Sequence, residues 1–430
     1  VADTDHLGRP IVAVTGTGII TSLGQGQTEN WRALTSGVSG IHRITRFPIG
    51  GLRTMIAGTV DFIPVAEPSA PAYAQRLAEL VVEEALGESR IGRPGDFPGP
   101  LFMALPPVEM EWPQRRALAA AAAVNDGLSY ADLIRAADGG HFEPWFERFL
   151  FGSVCEGLAS RFGTKGSPIA TSTACASGGT AIQLGVEAIR RGACEAALVV
   201  GTDASVNPES LIRFSLLSAL STRNDPPSAA ARPFSKDRDG FVMAEGAGAL
   251  VLESLAHARA RGAVILGVVE GCGEAADGFH RTRSSPDGKP IIACMTRALA
   301  DAGLRPDAVG PGGIGYVNAH GTGTPENDKM EWVGIAAVFG ERALALPISS
   351  NKSMIGHTLT AAGTIEAIFT LYTMRFGLLP PTINYDIPDP ALPIDCVPNT
   401  ARPAKVSHAI SNSFGFGGQN VCVVLGAEPS

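Results

Sequence analysis

The sequence predicts a layered α/β fold, on three observations. Short β-branched runs alternate with helix-length segments along the chain. The composition is 45% hydrophobic and only 18% charged, and the 51 glycines and 31 prolines are scattered rather than gathered into a linker. The alternation gives the class, because strands that alternate with helices form a sheet whose faces the helices cover. The apolar excess supplies a large buried core and excludes disorder. The scattered glycine and proline mark tight turns within one large body of 430 residues.

Taken in order, residues 11–15, 196–200, 249–253, 263–270 and 421–425 read as buried strands. Helical patterns run over 74–86, 117–128, 178–191, 291–302, 328–339 and 361–376. Residues 226–231 form a turn-rich stretch and 380–393 a proline-rich extended one, neither long enough to separate independent domains. No short-period repeat is present. A strand ending in small polar residues leads into a helix at 172–179, and a similar passage recurs at 349–363, which suggests two halves meeting near 262–267.

The net charge of −8, without a basic stripe, excludes a nucleic-acid binder. Seven cysteines without a disulfide-scaffold pattern favour a reducing cytosol. The longest Ala-rich stretch, 117–124, is far too short to span a bilayer, and the N-terminal residues lack a signal pattern. The expectation is a soluble, cytoplasmic enzyme with no membrane span.

Four segments carry chemistry. In Ala170-Thr-Ser-Thr-Ala-Cys175-Ala-Ser-Gly-Gly179, one cysteine sits among small residues at the start of a helical pattern. The helix dipole favours its thiolate there, and free backbone N–H groups can hold an oxyanion. Most isolated cysteines are structural, so this segment alone does not decide. In Val317-Asn-Ala-His320-Gly-Thr-Gly-Thr324, a histidine ends an apolar run and enters a Gly/Thr loop, a common position for catalytic side chains in α/β sheets. Ser349-Ser-Asn-Lys352-Ser-Met-Ile-Gly-His357 places lysine and histidine five apart in a polar segment. Each histidine alone reads better as a packing or surface residue, yet two of only eight occupy glycine-flanked junctions. In Ser411-Asn-Ser-Phe414-Gly-Phe416-Gly-Gly418-Gln-Asn420, dense glycine demands unusual backbone angles, and the two phenylalanines suit the wall of an apolar tunnel.

Competing readings fail on detail. Gly16-Thr-Gly18 lacks the third glycine of a dinucleotide fingerprint, and no Walker lysine motif occurs. A zinc site from Cys175, His320 and His357 lacks every local metal spacing, so no metal is expected. The local signatures of cysteine proteases are absent as well.

Together the four segments resemble a β-ketoacyl-[acyl-carrier-protein] synthase of the elongating kind, in the thiolase-fold superfamily. The resemblance runs from Ile11 to about Leu425, and takes in Arg232-Pro-Phe-Ser-Lys-Asp-Arg-Asp-Gly-Phe-Val-Met-Ala-Glu-Gly-Ala-Gly248 and Leu379-Pro-Pro-Thr-Ile-Asn384. It implies a five-layer αβαβα fold with two pseudo-symmetric halves, residues 1–265 carrying the nucleophile and 266–430 the two histidines, in a homodimer. It implies Cys175 as acyl acceptor, His320 and His357 as the pair that polarises a malonyl thioester, and Lys352 as a supporting lysine with Glu331 and Glu366 around it. Phe414 takes the place of the gating phenylalanine, whose N–H joins that of Cys175 in the oxyanion hole. Thr322 and Thr324 contact the phosphopantetheine arm of an acyl carrier protein, and Phe416 completes the substrate-binding wall. No cofactor is implied, because loss of CO₂ itself generates the carbanion. Initiating synthases of this fold replace one histidine by asparagine, and non-condensing homologues replace the cysteine. This chain keeps all three residues.

Alternative readings are a thiolase-like degradative enzyme, a non-catalytic or chain-length-determining subunit, and a polyketide-type ketosynthase. The degradative reading needs a second cysteine in the C-terminal loop, whereas Cys422 lies in a strand-like run outside it. Residues 67–147 depart from the family: Leu101-Phe-Met-Ala-Leu-Pro-Pro-Val-Glu-Met110 holds two prolines where glycines are usual, which points to a specialised synthase rather than the bulk housekeeping enzyme. Arg76, Arg115, Arg116 and Arg223 are the expected contacts for an acidic carrier.

Overall fold

The computed structural model describes residues 3–66, 68–123 and 129–427. Ten strands lie along one continuous path: β1 (Val12–Thr21), β2 (Leu101–Ala104), β3 (Ile169–Thr171), β4 (Ala196–Asp203), β5 (Gly246–Ser254), β6 (Gly267–Ala276), β7 (Ile314–Asn318), β8 (Ile348–Ser349), β9 (His408–Phe414) and β10 (Gln419–Gly426). Their order is β8-β7-β9-β10-β6-β1-β5-β4-β2-β3, with the short strand Gly24–Gln25 turned back on β1.

That order is a repeat. Ranked by position within its own half, each set of five runs 3-2-4-5-1 from its outer edge, and the two first strands meet in the middle. The pairing senses repeat as well. In each half the two outer junctions are parallel and the two inner ones antiparallel. The halves join where Val12–Val14 of β1 pairs antiparallel with Gly267–Val269 of β6.

Side-chain alternation turns this path into layers. On β4, Leu198 and Val200 enter a core with Leu77 and Val81 of helix α1 (Ala70–Ser89), while Ala197 and Val199 enter a core with Ile182 and Val186 of helix α2 (Ser177–Arg190). On β10, Val421 and Val423 share that inner core with Ile365 and Ile368 of helix α6 (Ala362–Phe376), and Cys422 and Val424 face the outer helices α4 (Lys289–Asp301) and α5 (Pro325–Phe339). Helix α3 (Pro208–Leu216) precedes α4 in the chain and lies over the site described below. Two central helices are thus held between sheets that outer helices cover, the five-layer αβαβα arrangement of a thiolase-like fold. Both faces of β1, β4 and β5 are buried, which is why these strands read as apolar runs, whereas β6 leaves Glu270, Cys272 and Glu274 only partly buried on one face.

The central helices touch through glycine. A Cβ on Gly178 of α2 would stand 2.6 Å from the backbone nitrogen of Thr364, and one on Gly363 of α6 would stand 2.4 Å from that of Gly179. Only residues without a side chain permit this approach. The two helices are the ones that follow the two similar passages noted in the sequence.

Four of the five expected strands and five of the six expected helices are present as such, while the strand expected over 263–270 begins only at Gly267 and runs on to Ala276. Helix α1 begins earlier than its apolar pattern, because Ser69 caps it by accepting the N–H of Ala72 and Pro71 occupies its first turn. The pattern over 117–128 is helical only as Trp112–Ala122, and residues 124–128 lie outside those described.

Candidate active site

Cys175 sits between the third strand of the first half and its central helix. The passage from β3 to α2 turns through Ala174, whose φ of 50° lies in the left-handed region that non-glycine residues rarely enter. Ser177 pins the turn: its hydroxyl accepts the N–H of Thr173 at 2.8 Å and donates to the carbonyl of Ala174 at 2.6 Å.

The matching passage of the second half, between β8 and α6, delivers His357. Its N–H donates to the carbonyl of Val242 at 2.7 Å and its carbonyl accepts the N–H of Ala244 at 2.9 Å, so the Arg232–Gly248 segment clamps its backbone. The N–H of Leu359 donates to Nδ1 of His357 at 3.2 Å. A backbone N–H can only donate, so Nδ1 accepts and the neutral ring carries its proton on Nε2. That Nε2 lies 3.1 Å from Sγ of Cys175.

His320 follows β7. Its N–H and that of Gly321 donate to the two carboxylate oxygens of Glu331, each at 2.8 Å, and the Asn412 amide donates to the same carboxylate at 3.0 Å. The imidazoles of His320 and His357 meet edge to face, with centroids 5.3 Å apart, and Phe414 packs against His320 at 5.8 Å. Sγ of Cys175 and one nitrogen of each ring lie within 4.8 Å of one another. Distance alone would let these atoms ligate a metal. The Leu359 N–H opposes it, because it holds the proton on the nitrogen that a metal would need bare.

Behind the rings, Lys352 is paired with Glu366 in a buried ion pair. Burial lowers both histidines well below the usual range, and the Lys352 charge adds to the effect, so both are neutral near pH 7. Burial pushes the Cys175 thiol up to about 11, against the opposing pull of Lys352 and the backbone N–H of Phe416. The Glu366 carboxyl is raised by burial to about 7, with Lys352 opposing.

Two cavities meet at the sulfur. The front one, about 380 Å³, is lined by His320, His357, Thr322, Thr324, Phe414 and Phe416. The rear one, about 490 Å³, is largely apolar and takes Pro106, Pro107, Val108, Phe151 and Val154 into its wall. Cys175, Phe214, Leu217, Leu359 and Phe416 belong to both, so one layer of side chains divides them.

All nine site residues expected from the sequence converge here, but three details differ. The amide that faces the sulfur is that of Phe416, while Phe414 is buried against His320. The resting thiolate expected from the helix start gives way to a thiol, since the site is desolvated. Of the acids placed around Lys352, Glu366 pairs with it, whereas Glu331 fixes the His320 loop. Among the arginines expected to meet a carrier, Arg76, Arg115 and Arg223 are ion-paired to Glu79, Glu109 and Asp237. Sequence reasoning missed Phe214, Leu217 and Leu359, which come from an ordinary amphipathic helix and from the residues after a motif.

The fold agrees with known proteins. The sequence profiles described as Beta-ketoacyl synthase, N-terminal domain and C-terminal domain match residues 114–258 and 266–386. The chain is 35% identical over 423 residues to 3-oxoacyl-[acyl-carrier-protein] synthase 2 of Coxiella burnetii, covering 96% of this chain and 98% of that one. It is equally 35% identical, over 431 residues and 96% of both chains, to the tetracenomycin polyketide synthase ketoacyl synthase alpha subunit of Streptomyces glaucescens. A type II polyketide ketosynthase, solved in complex with its acyl-carrier protein and bound to a hexaketide, superposes with a TM-score of 0.84 at 30% identity, over 98% of this chain and 100% of that one.

Proposed function

This chain belongs to the β-ketoacyl synthase family, and we propose that it is a 3-oxoacyl-[acyl-carrier-protein] synthase, joining an acyl group to a malonyl unit with loss of CO₂. The observation that carries this reading is a cysteine thiol faced by two neutral imidazoles within 4.8 Å, where two cavities meet.

In the first step Sγ of Cys175 attacks the carbonyl of an acyl-carrier thioester. An S–acyl bond forms, the bond to the carrier sulfur breaks, and the thiol proton ends on the departing carrier thiol. The N–H of Phe416, already against the sulfur, and that of Cys175 hold the carbonyl oxygen as it gains charge. The acyl chain lies in the rear cavity. In the second step a malonyl thioester enters from the front, along Thr322 and Thr324. Its carboxylate leaves as CO₂, and the electron pair of that bond passes to the enolate. His357, donating from Nε2, and His320 beside it stabilise the enolate oxygen. The carbanion attacks the acyl-enzyme, the sulfur leaves as thiolate, and it takes a proton from water as the 3-oxoacyl product departs. Burial and the Lys352 charge keep both rings neutral. Residues 1–265 supply the nucleophile and 266–430 the donors.

We read the chain as cytoplasmic and homodimeric. Seven free cysteines support a reducing compartment, and among the described residues no helix is long and apolar enough to cross a membrane. Trp112, Ile134, Phe146 and Leu216 are exposed apolar side chains, the kind that an interface between copies buries.

The test is intact-protein mass spectrometry after incubation with acyl-carrier. An acyl increment mapped to Cys175, and absent from Cys175→Ala, is expected. No adduct would leave only the non-catalytic reading. A polyketide ketosynthase uses the same residues, so a panel of fatty-acyl and polyketide-like acyl groups separates those substrates.

A further inference from the structure

The front cavity opens past two arginines that no carboxylate holds. Arg281 and Arg283 line it together with His280, Thr322 and Thr324. Both are exposed, and among the described residues neither is ion-paired. This sets them apart from their neighbours around the site, since Arg46, Arg232 and Arg238 are bound to Glu245, Asp237 and Asp389. The carboxylate nearest in sequence is already engaged: Asp277 accepts the N–H groups of Phe279 at 2.9 Å and Ser285 at 2.7 Å. Among the described residues, the one other acid on this cavity wall is Glu326, on the helix that follows Thr324.

The segment that bears the arginines is fastened to the Phe416 loop. Asp277 donates its N–H to the carbonyl of Gly418 at 2.7 Å, and the carbonyl of Arg281 accepts the N–H of Gly417 at 2.8 Å. Nδ1 of His280 accepts the N–H of Thr282 at 3.1 Å, which tightens the turn between them. Two guanidiniums therefore rise from a fixed backbone on one rim, facing a second rim that bears the hydroxyls of Thr322 and Thr324, 2.9 Å apart. In a chain of net charge −8, an unneutralised pair of cations at the entrance to the reacting sulfur is a local reversal of sign. Guanidinium recognises phosphate oxygens through paired, charge-assisted hydrogen bonds.

We propose that Arg281 and Arg283 form an anion subsite that receives the phosphodiester of the arm bearing the thioester. This rests on the function proposed above. It adds a specific division of labour: the threonines meet the neutral part of the arm, and the arginines meet its charge.

The test compares three malonyl donors differing only beyond the thioester: malonyl-pantetheine, malonyl-phosphopantetheine and malonyl-carrier. In the unaltered protein, kcat/KM with the phosphorylated arm should exceed that with the dephosphorylated arm by about tenfold, the size of one or two charge-assisted bonds. In the R281A/R283A variant that ratio should fall to about one, and in R281K/R283K it should be intermediate, since lysine keeps the charge but loses the fork. An unchanged ratio in R281A/R283A overturns the proposal. So does a loss confined to malonyl-carrier, which would assign the arginines to the carrier's own surface. Calorimetric binding of phosphopantetheine and pantetheine without acyl groups reads the same ratio without turnover. A protein that condenses no donor yet prefers the phosphorylated arm in binding would refute the proposed function and leave the subsite standing.

Discussion

Leu359 donates its backbone N–H to Nδ1 of His357, and this bond settles which ring nitrogen carries the proton beside the Cys175 sulfur. Leu359 reaches that geometry at a φ of 46°, a left-handed conformation uncommon for a branched apolar residue. The donor is therefore organised before any substrate arrives. His357→Ala should lower malonyl decarboxylation by roughly 10²–10³-fold, the usual effect of removing one preorganised donor. His357→Asn, which restores an N–H near the same place, should lose less. Release of CO₂ from malonyl-carrier measures both, and equal rates in the two variants would contradict a donor role.

The two imidazoles should not titrate in the ordinary range. Burial and the Lys352 charge lower both, so their neutral forms persist as the pH falls through 6.5. With ¹⁵N-histidine labelling, two of the eight rings should keep neutral chemical shifts from about pH 7.5 to 5.5. His357 should show a proton on Nε2 throughout. A midpoint near 6.5 for either ring would overturn this assignment.

Lys352→Met should slow alkylation of Cys175 at a fixed alkaline pH, because the ammonium is the largest influence that opposes the upward push of burial on the thiol. Breaking a buried pair commonly costs about 3–5 kcal/mol when the partner stays charged. Glu366, already raised to about 7, can instead take up a proton, so the loss in thermal stability should shrink as the pH is lowered. Adding Glu366→Gln to Lys352→Met should recover stability and return only part of the thiol's reactivity, because the Glu366 carboxylate is one of the groups that push the thiol up while the Lys352 charge stays lost. Iodoacetamide kinetics and thermal unfolding follow the two effects separately.

Gly178→Ala should destabilise the protein by about 1–3 kcal/mol, since the new methyl group meets backbone that cannot rotate away. It should also depress condensation, because the helices it forces apart follow Cys175 and His357 directly. Gly87→Ala is the matched control: it lies in α1, where an added methyl group would meet only open space, so it should stabilise by about 0.5–1 kcal/mol. Thermal melts of the two variants should move in opposite directions.

Much of this site was legible because its residues lie in short segments of unusual composition. Cys175, His320, Lys352 and His357 each stand beside small residues or glycine, and close approach demands those neighbours. Strands β1, β4, β5 and β10 were visible as apolar runs, and β6 only through its first residues. Strands β2, β3, β7 and β9 were not, since they are short or carry Asn318, His408 and Asn412 among their apolar residues. The exchange of Phe414 and Phe416 shows a different limit. Two phenylalanines two residues apart are equivalent in pattern, and only the path of the glycine loop decides which amide faces the sulfur. The state of the thiol was hidden for a similar reason. A helix start is visible in sequence, whereas the depth of burial that outweighs it comes from α6 and the Phe416 loop packed over it.

The central seam of the sheet has a consequence for how such a protein can change. The sulfur comes from one repeat and both rings from the other, with Cys175 and His357 at the same crossing from an outer strand to a central helix. In the mechanism proposed above, holding a chain thus falls mainly to one copy of the architecture and making a carbanion to the other, although Leu359 and Phe416 of the second copy also line the rear cavity. Substitutions around β2 and the rear cavity can alter what is held while the carbanion machinery stays intact, provided the glycine contact between the two helices keeps its spacing.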